Sequence, residues 1–161
     1  MAVRVYTVTV SDSRTQINDV AGRMLGAELK KVGFEVARHV ILKDDAAHIQ
    51  ELVRSVSTEN LADVIVLTGG TGIAPRDVTT EALEAIFDKR IDGFGEAFRR
   101  QSWEKIGARA MLSRATAGVV SGCVVFAIPG NPKAVPVAVE LIWPVLEHAV
   151  DLATGRRTAH V

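Results

Sequence analysis

The run Asp63-Val64-Ile65-Val66-Leu67, followed directly by Thr68-Gly69-Gly70-Thr71-Gly72, constrains this chain more than any other stretch. Val64 to Leu67 is apolar on both faces and mostly β-branched, so it predicts a strand covered from both sides. The glycines behind it permit φ > 0 and let a ligand approach the backbone closely. Thr79-Thr80-Glu81-Ala82-Leu83 then reads as the start of a helix. Buried strand, glycine-rich loop and helix form the arrangement that offers backbone N–H groups to an anion. The same residues also suit a plain tight turn, and the loop taken by itself leaves both readings open.

The remaining chain repeats the strand-then-helix pattern. Val3 to Val10 and Phe34 to Leu42 read as strands. Between them, Asp19 can cap a helix to about Lys31 that carries Ala21, Met24, Leu25, Leu29 and Val32 on one stripe, with Gly33 ending it. Asp45 can cap a second helix with Ala46, Ile49, Leu52, Val53 and Val56. A third is expected from Thr80 to Phe87, with Thr79 as its cap. A fourth follows a break at Gly93 and carries Phe94, Ala97, Phe98, Trp103 and Ile106. Ala115 to Val120 and Cys123 to Ile128 flank Ser121-Gly122, which is a hairpin signal. A long helix from Lys133 to Leu152 comes last, interrupted or restarted at Pro144 and closed by Gly155, with 155–161 a polar tail. The order predicts an α/β fold: a three-layer α/β/α sandwich on a mostly parallel sheet with an antiparallel hairpin edge. No linker or internal repeat divides residues 1–161, so one domain is expected.

Composition narrows the function classes. Nineteen basic and nineteen acidic residues balance, which gives no electrostatic reason to expect nucleic acid or a membrane surface. No apolar run approaches membrane-spanning length, and the N-terminus lacks a signal-peptide pattern. Cys123 is the single cysteine, so no intrachain disulfide forms; this fits a reducing compartment and a cytoplasmic location. Its apolar surroundings read as a buried small hydrophobe rather than a nucleophile. His39, His48, His148 and His160 show no metal-ligand spacing.

In open α/β sheets ligands bind outside the carboxyl ends of the strands. Four polar loops follow strand-like runs here: Ser11-Asp12-Ser13, Lys43-Asp44-Asp45, Thr68 to Asp77, and Pro129 to Lys133. Glycine N–H groups and hydroxyls can hold phosphate oxygens, and Asp12, Asp44 and Asp77 can hold a hard cation such as Mg²⁺. Such a cation would serve phosphoryl or nucleotidyl transfer. Each aspartate also has a structural reading: Asp12 and Asp44 as turn or cap residues, Asp77 as a partner of Arg76 or a helix cap. The Gly-x-x-x-x-Gly-Lys-[Ser/Thr], Gly-x-Gly-x-x-Gly and Gly-x-Ser-x-Gly patterns are missing from the expected places, which argues against the common nucleotide, dinucleotide and hydrolase sites.

Thr68-Gly69-Gly70-Thr71-Gly72 with Arg76-Asp77, then Gly93-Phe94-Gly95-Glu96, Leu112-Ser113-Arg114 and Pro129-Gly130-Asn131-Pro132-Lys133, resembles the MoaB/MogA family of molybdenum cofactor biosynthesis proteins. The motifs stand in the family's order and span nearly the whole chain. Phe94 to Arg114 looks closer to the MoaB branch. The resemblance implies a molybdopterin-binding domain that assembles as a homotrimer, sometimes a hexamer, and hands its product to a MoeA-type molybdenum insertase. In active relatives the terminal phosphate of molybdopterin attacks the α-phosphorus of ATP with Mg²⁺, giving adenylyl-molybdopterin and pyrophosphate.

By motif, the resemblance assigns catalysis and metal binding to Asp77 and Asp44. It assigns substrate binding to Ser11, Asp12, Ser13, Thr68, Gly69, Gly70, Thr71, Gly72, Glu96, Ser113, Pro129, Gly130 and Asn131. Relatives often carry a hydroxyl residue where this chain has Ala134. Besides the adenylyltransferase, two other readings therefore stand: a non-catalytic molybdopterin carrier or assembly subunit, and a generic nucleotide-binding module.

Overall fold

The computed structural model describes residues 2–156. Its strands are β1 (Arg4–Val10), β2 (Glu35–Leu42), β3 (Val64–Thr68), β4 (Lys89–Arg90), β5 (Thr116–Val120) and β6 (Cys123–Ile128). Its helices are α1 (Val20–Lys31), α2 (Ala46–Thr58), α3 (Thr79–Glu84), α4 (Asp92–Ile106), α5 (Ala134–Ile142) and α6 (Leu146–Thr154). The strands form one sheet in the order β2-β1-β3-β6-β5-β4. β2, β1, β3 and β6 run parallel, and β5 lies antiparallel between β6 and β4.

Alternation along the strands builds a core on each face of the sheet. Val5, Val64, Val66, Val124, Phe126 and Ile128 pack with α1, α4, α5 and α6. Tyr6, Val8, Val10, Ile65, Leu67, Val125 and Ala127 pack with α2 and α3. Leu25 and Leu29 of α1 are fully buried, worth roughly 1.5–3 kcal/mol each. Asp19 and Asp45 cap α1 and α2 by accepting the main-chain N–H of Gly22 and His48. Ser121 and Gly122 both have positive φ, the conformation of a two-residue hairpin turn.

Several expectations need correcting. Thr79 is the first residue of α3 rather than its cap, which is Val78. α3 stops at Glu84, before the expected Phe87, because Phe87 leaves the helix to pack on the hairpin. A Cβ on Gly118 would lie 2.5 Å from that ring. Gly93 does not break the chain; it sits in the first turn of α4, where its flexibility costs little. The expected fourth helix does carry Trp103 and Ile106, and both lie exposed on α4. Pro144 does divide the last helix, through a 3-10 turn at Trp143–Val145. The edge strand β4 consists of two charged residues with no apolar pattern to announce it, and such charges protect an edge from pairing. Of the expected polar tail, residues 157–161 lie outside the described residues.

The register brings Val10 beside Leu42, Thr9 beside Thr68, and Thr68 beside Ile128. The loops after the parallel strands therefore leave one rim. β1 lies between β2 and β3, so the connections diverge there, where open sheets form a crevice.

Candidate active site

A cavity of about 550 Å³ opens at that rim, lined in part by Ser11 to Arg14, Asp44, Thr68 to Gly72, Arg76 and Asp77. The glycine loop is held by its carbonyls. Thr79 donates its hydroxyl to the Gly69 carbonyl at 2.8 Å and its N–H to the Gly70 carbonyl at 3.0 Å. Arg114 donates to the carbonyls of Thr71 and Gly72. Among the described residues, the N–H groups of Gly70, Thr71 and Gly72 donate to no protein acceptor. Because a peptide unit is planar and trans, each fixed carbonyl points the next N–H the opposite way. Carbonyls secured from outside and N–H groups left over describe an anion cradle better than a plain turn.

The glycines themselves are required by the packing. Gly69 has φ +110°, and a Cβ there would sit 2.2 Å from the Val10 carbonyl oxygen. Gly70 has φ +74°, with a Cβ position 2.2 Å from Thr79 Oγ1. At Gly72 a Cβ would lie 2.7 Å from Asp77 Oδ2.

The three loop aspartates converge but differ in surroundings. Asp12 Oδ1 accepts the Asp44 N–H at 3.0 Å, so Asp12 ties the loop after β1 to the loop after β2 rather than shaping a turn of its own. Asp44 is not a cap; Asp45 takes that role. Burial and then the neighbouring charge of Asp12 push the Asp44 carboxyl up, with a lesser push from Asp77, and together they outweigh the main-chain hydrogen bond from Asp12 and the charge of Arg76. Asp77 Oδ2 accepts the Ala74 N–H at 2.9 Å, and its side chain caps no helix. Among the described residues no group of three His, Cys, Asp or Glu side chains is placed to hold a metal ion. A cation here would need ligands from the substrate or solvent besides the carboxylates.

Other sequence-assigned residues fall in several places. Ser11 Oγ accepts the N–H groups of Ser13 and Arg14, shaping its own loop. Thr68 donates its hydroxyl to the Pro129 carbonyl, and Gly130 passes close enough that a Cβ would be 3.3 Å from the Gly69 Cα. Ser113, Pro129 and Gly130 line the cavity. Asn131 lies outside the lining and accepts the Lys133 N–H at the start of α5. Glu96 sits on α4 in a neighbouring cleft with Arg90 and Arg99.

Sequence reasoning missed other members. Arg14, Arg76 and Arg109 line the cavity, and their guanidinium groups form no hydrogen bond or ion pair among the described residues. Asp19, read as a cap, also lines the cavity and meets both Thr9 and His39. The available signal was the hydroxyl pair Thr7 and Thr9, placed where β1 could have carried apolar residues toward α1.

Residues 6–148 match the family model described as a probable molybdopterin binding domain. The chain belongs to the MoaB/MogA family of molybdenum cofactor biosynthesis proteins. Molybdenum cofactor biosynthesis protein B of Bacillus cereus is 47% identical over 148 residues, covering 91% of this chain and 88% of that protein. A crystal structure of a molybdenum cofactor biosynthesis protein B superposes with a TM-score of 0.92 at 44% identity, over 98% of each chain. The tungsten cofactor synthesizing protein MoaB from Pyrococcus furiosus gives 0.84 at 35% identity, over 95% of this chain and 98% of its own. The rim and the glycine loop thus belong to a MoaB/MogA fold. No helix among the described residues is long and apolar enough to cross a membrane.

Proposed function

We propose that the chain binds molybdopterin, a pyranopterin dithiolene with a terminal phosphate, and adenylylates that phosphate with Mg-ATP. The observation that carries the reading is the set of free N–H groups at Gly70, Thr71 and Gly72 beside Asp44 and Asp77 in one cavity. In this reaction a terminal phosphate oxygen attacks the α-phosphorus of ATP. The bond from the α-phosphorus to the bridging oxygen breaks, and pyrophosphate leaves with that electron pair. Two polyanions must meet, so fixed N–H donors and the guanidinium groups of Arg14, Arg76 and Arg109 offset their repulsion.

Asp44 and Asp77 are the residues that would hold Mg²⁺. Their hard oxygen donors suit it, and the crowding that pushes the Asp44 carboxyl up is relieved by a cation. One or two carboxylates completed by phosphates and water is the usual Mg²⁺ arrangement, consistent with the lack of a three-ligand protein cluster among the described residues. When bound, the ion neutralises charge developing on the transferring phosphates. Ser11, Asp12, Ser13, Thr68, Ser113, Pro129 and Gly130 form the walls that orient the substrates.

Mixing the protein with molybdopterin, ATP and Mg²⁺ should release pyrophosphate, with Asp77→Asn slowed on the order of a hundredfold or more. Tight molybdopterin binding without turnover under any metal condition would sink the assignment.

That outcome belongs to a second reading, a carrier or assembly subunit, favoured by Ala134, which offers no hydroxyl at the start of α5. There Asp77→Asn leaves molybdopterin affinity unchanged and ATP does not bind. In either reading we expect a cytoplasmic homotrimer or hexamer that passes product to a MoeA-type insertase. Exposed Trp103, Ile106, Met111 and Leu112 supply apolar surface for such an assembly. A monomeric mass by light scattering at micromolar concentration would contradict it.

A further inference from the structure

Arg114 does not line the cavity; it lies behind the glycine loop, in the neighbouring cleft. Its main-chain N–H donates to the Thr71 carbonyl at 2.8 Å. Its Nε and Nη2 donate to the Gly72 carbonyl at 2.9 and 2.7 Å, and Nη2 reaches the Asp77 carbonyl at 3.4 Å. The guanidinium also grips both carboxylate oxygens of Glu81, with Nη2 to Oε1 at 3.0 Å and Nη1 to Oε2. Glu81 stands in the first turn of α3. The Arg114 carbonyl in turn accepts the Thr80 hydroxyl at 2.8 Å. From the other side, Arg99 holds the carbonyls of Ser113 and Ala115.

Peptide planarity gives these contacts a direction. A carbonyl of Thr71 held by Arg114 sends the Gly72 N–H away from Arg114, and the held Gly72 carbonyl does the same for Ile73. Thr79 does this for the N–H groups of Gly70 and Thr71. The cradle is therefore aimed by two residues, one at each half of the loop. Asp77 lies within the second half, against Gly72.

We propose that Arg114, braced by Glu81, is a positioning residue for the anion site: it aims the Gly72 and Ile73 N–H groups and seats the segment carrying Asp77. This rests on the reading of the loop as a phosphate cradle. The planar fork is essential, because a lysine ammonium cannot hold the Gly72 carbonyl and both Glu81 oxygens in one plane.

The test uses the full chain as wild type, Arg114→Lys and Glu81→Gln, with inorganic pyrophosphate as the probe. In Arg114→Lys, amide exchange over residues 70–77 should rise about tenfold and pyrophosphate affinity should fall about tenfold, the scale of one lost charge-assisted hydrogen bond. Exchange in β1 and β3 should stay unchanged. Glu81→Gln, which keeps the Gly72 contacts but weakens the brace, should show a smaller change in the same residues. If Arg114→Lys does not fold, Glu81→Gln carries the test.

Unchanged loop exchange in a folded variant, or faster exchange spread evenly through the sheet, overturns the proposal. So does a wild type that fails to bind pyrophosphate. A wild type that binds pyrophosphate through Arg114 yet forms no adenylyl-molybdopterin supports this proposal and removes the adenylyltransferase assignment. A wild type that turns over, with pyrophosphate affinity indifferent to Arg114, does the reverse.

Discussion

Asp19 Oδ2 lies 2.8 Å from His39 Nε2, joining the start of α1 to the edge strand β2 at the cavity wall. Thr9 donates its hydroxyl to the same carboxylate at 2.8 Å, and Thr7 Oγ1 stands 2.8 Å from His39 Nδ1. Asp19 is almost wholly buried, so removing it strands several polar groups at once. Asp19→Ala should cost about 2–4 kcal/mol in urea unfolding, from the lost cap and the lost hydrogen bonds to Thr9 and His39. Burial pushes the Asp19 carboxyl up, but hydrogen bonds from His39, Thr9 and the Gly22 N–H outweigh it and hold the group below its ordinary 3.8. A depressed carboxyl contributes stability above its unfolded value and loses it as pH falls through the folded one. The stability gap between wild type and Asp19→Ala should therefore hold at neutral pH and shrink below pH 3.8.

Cys123 should be inert in the native chain. Burial pushes its thiol from an ordinary 9.0 up to about 12, so little thiolate exists near neutral pH. Iodoacetamide at pH 8 should label it about a thousandfold more slowly than in urea, by the thiolate fraction alone. Comparable rates in both conditions would show that β6 opens readily.

The layered fold was readable because β3 and β6 are apolar on both faces and the helix caps stand at Asp19 and Asp45. The glycine loop and its neighbouring aspartates were readable for the same reason: they interrupt strong strand patterns. What escaped was set by tertiary contact. Phe87 obeys the space above Gly118 rather than its helix propensity, and β4 exists through pairing with β5. Arg14 and Arg76 reach the cavity from loops and Arg109 from a 3-10 turn at Gly107–Leu112, and apart from the place of Arg76 beside Asp77 in the motif nothing local distinguishes them from solvated surface arginines. Arg114 was visible inside its motif, but its hold on the Gly72 carbonyl appears only in three dimensions.

Alanine at the glycines should separate packing from function. Gly69→Ala meets the rigid Val10 main chain and an unfavourable φ, so a loss of about 3 kcal/mol or more is expected. At Gly72 no positive φ is involved and the obstacle is the Asp77 carboxylate. Gly72→Ala should cost about 1 kcal/mol of stability while strongly reducing pyrophosphate release. Gly26→Ala in α1 meets nothing within 4 Å and should stabilise by about 0.5–1 kcal/mol. Equal losses at all three positions in thermal melts would refute this ordering.

Asp44 should trade stability for function. Its carboxyl is pushed up by burial, then by Asp12 and by Asp77, so its ionised form is disfavoured in the folded chain. A raised carboxyl contributes its stability below the unfolded value and loses it as pH rises through the folded one. At neutral pH, then, the charge on Asp44 works against folding, and Asp44→Asn should raise the Tm of the metal-free protein. The substitution keeps the main-chain N–H that bonds Asp12, so the loop contact survives. Below pH 3.8 the two proteins should converge, since the wild-type carboxyl is then protonated. A divalent cation reverses the order: it binds the folded state, raising the wild-type Tm by mass action, and should do little for Asp44→Asn. Melting both proteins with and without Mg²⁺ and ATP checks each half. A lower Tm for metal-free Asp44→Asn at pH 7 would show that this carboxylate is held by structure rather than poised for a cation.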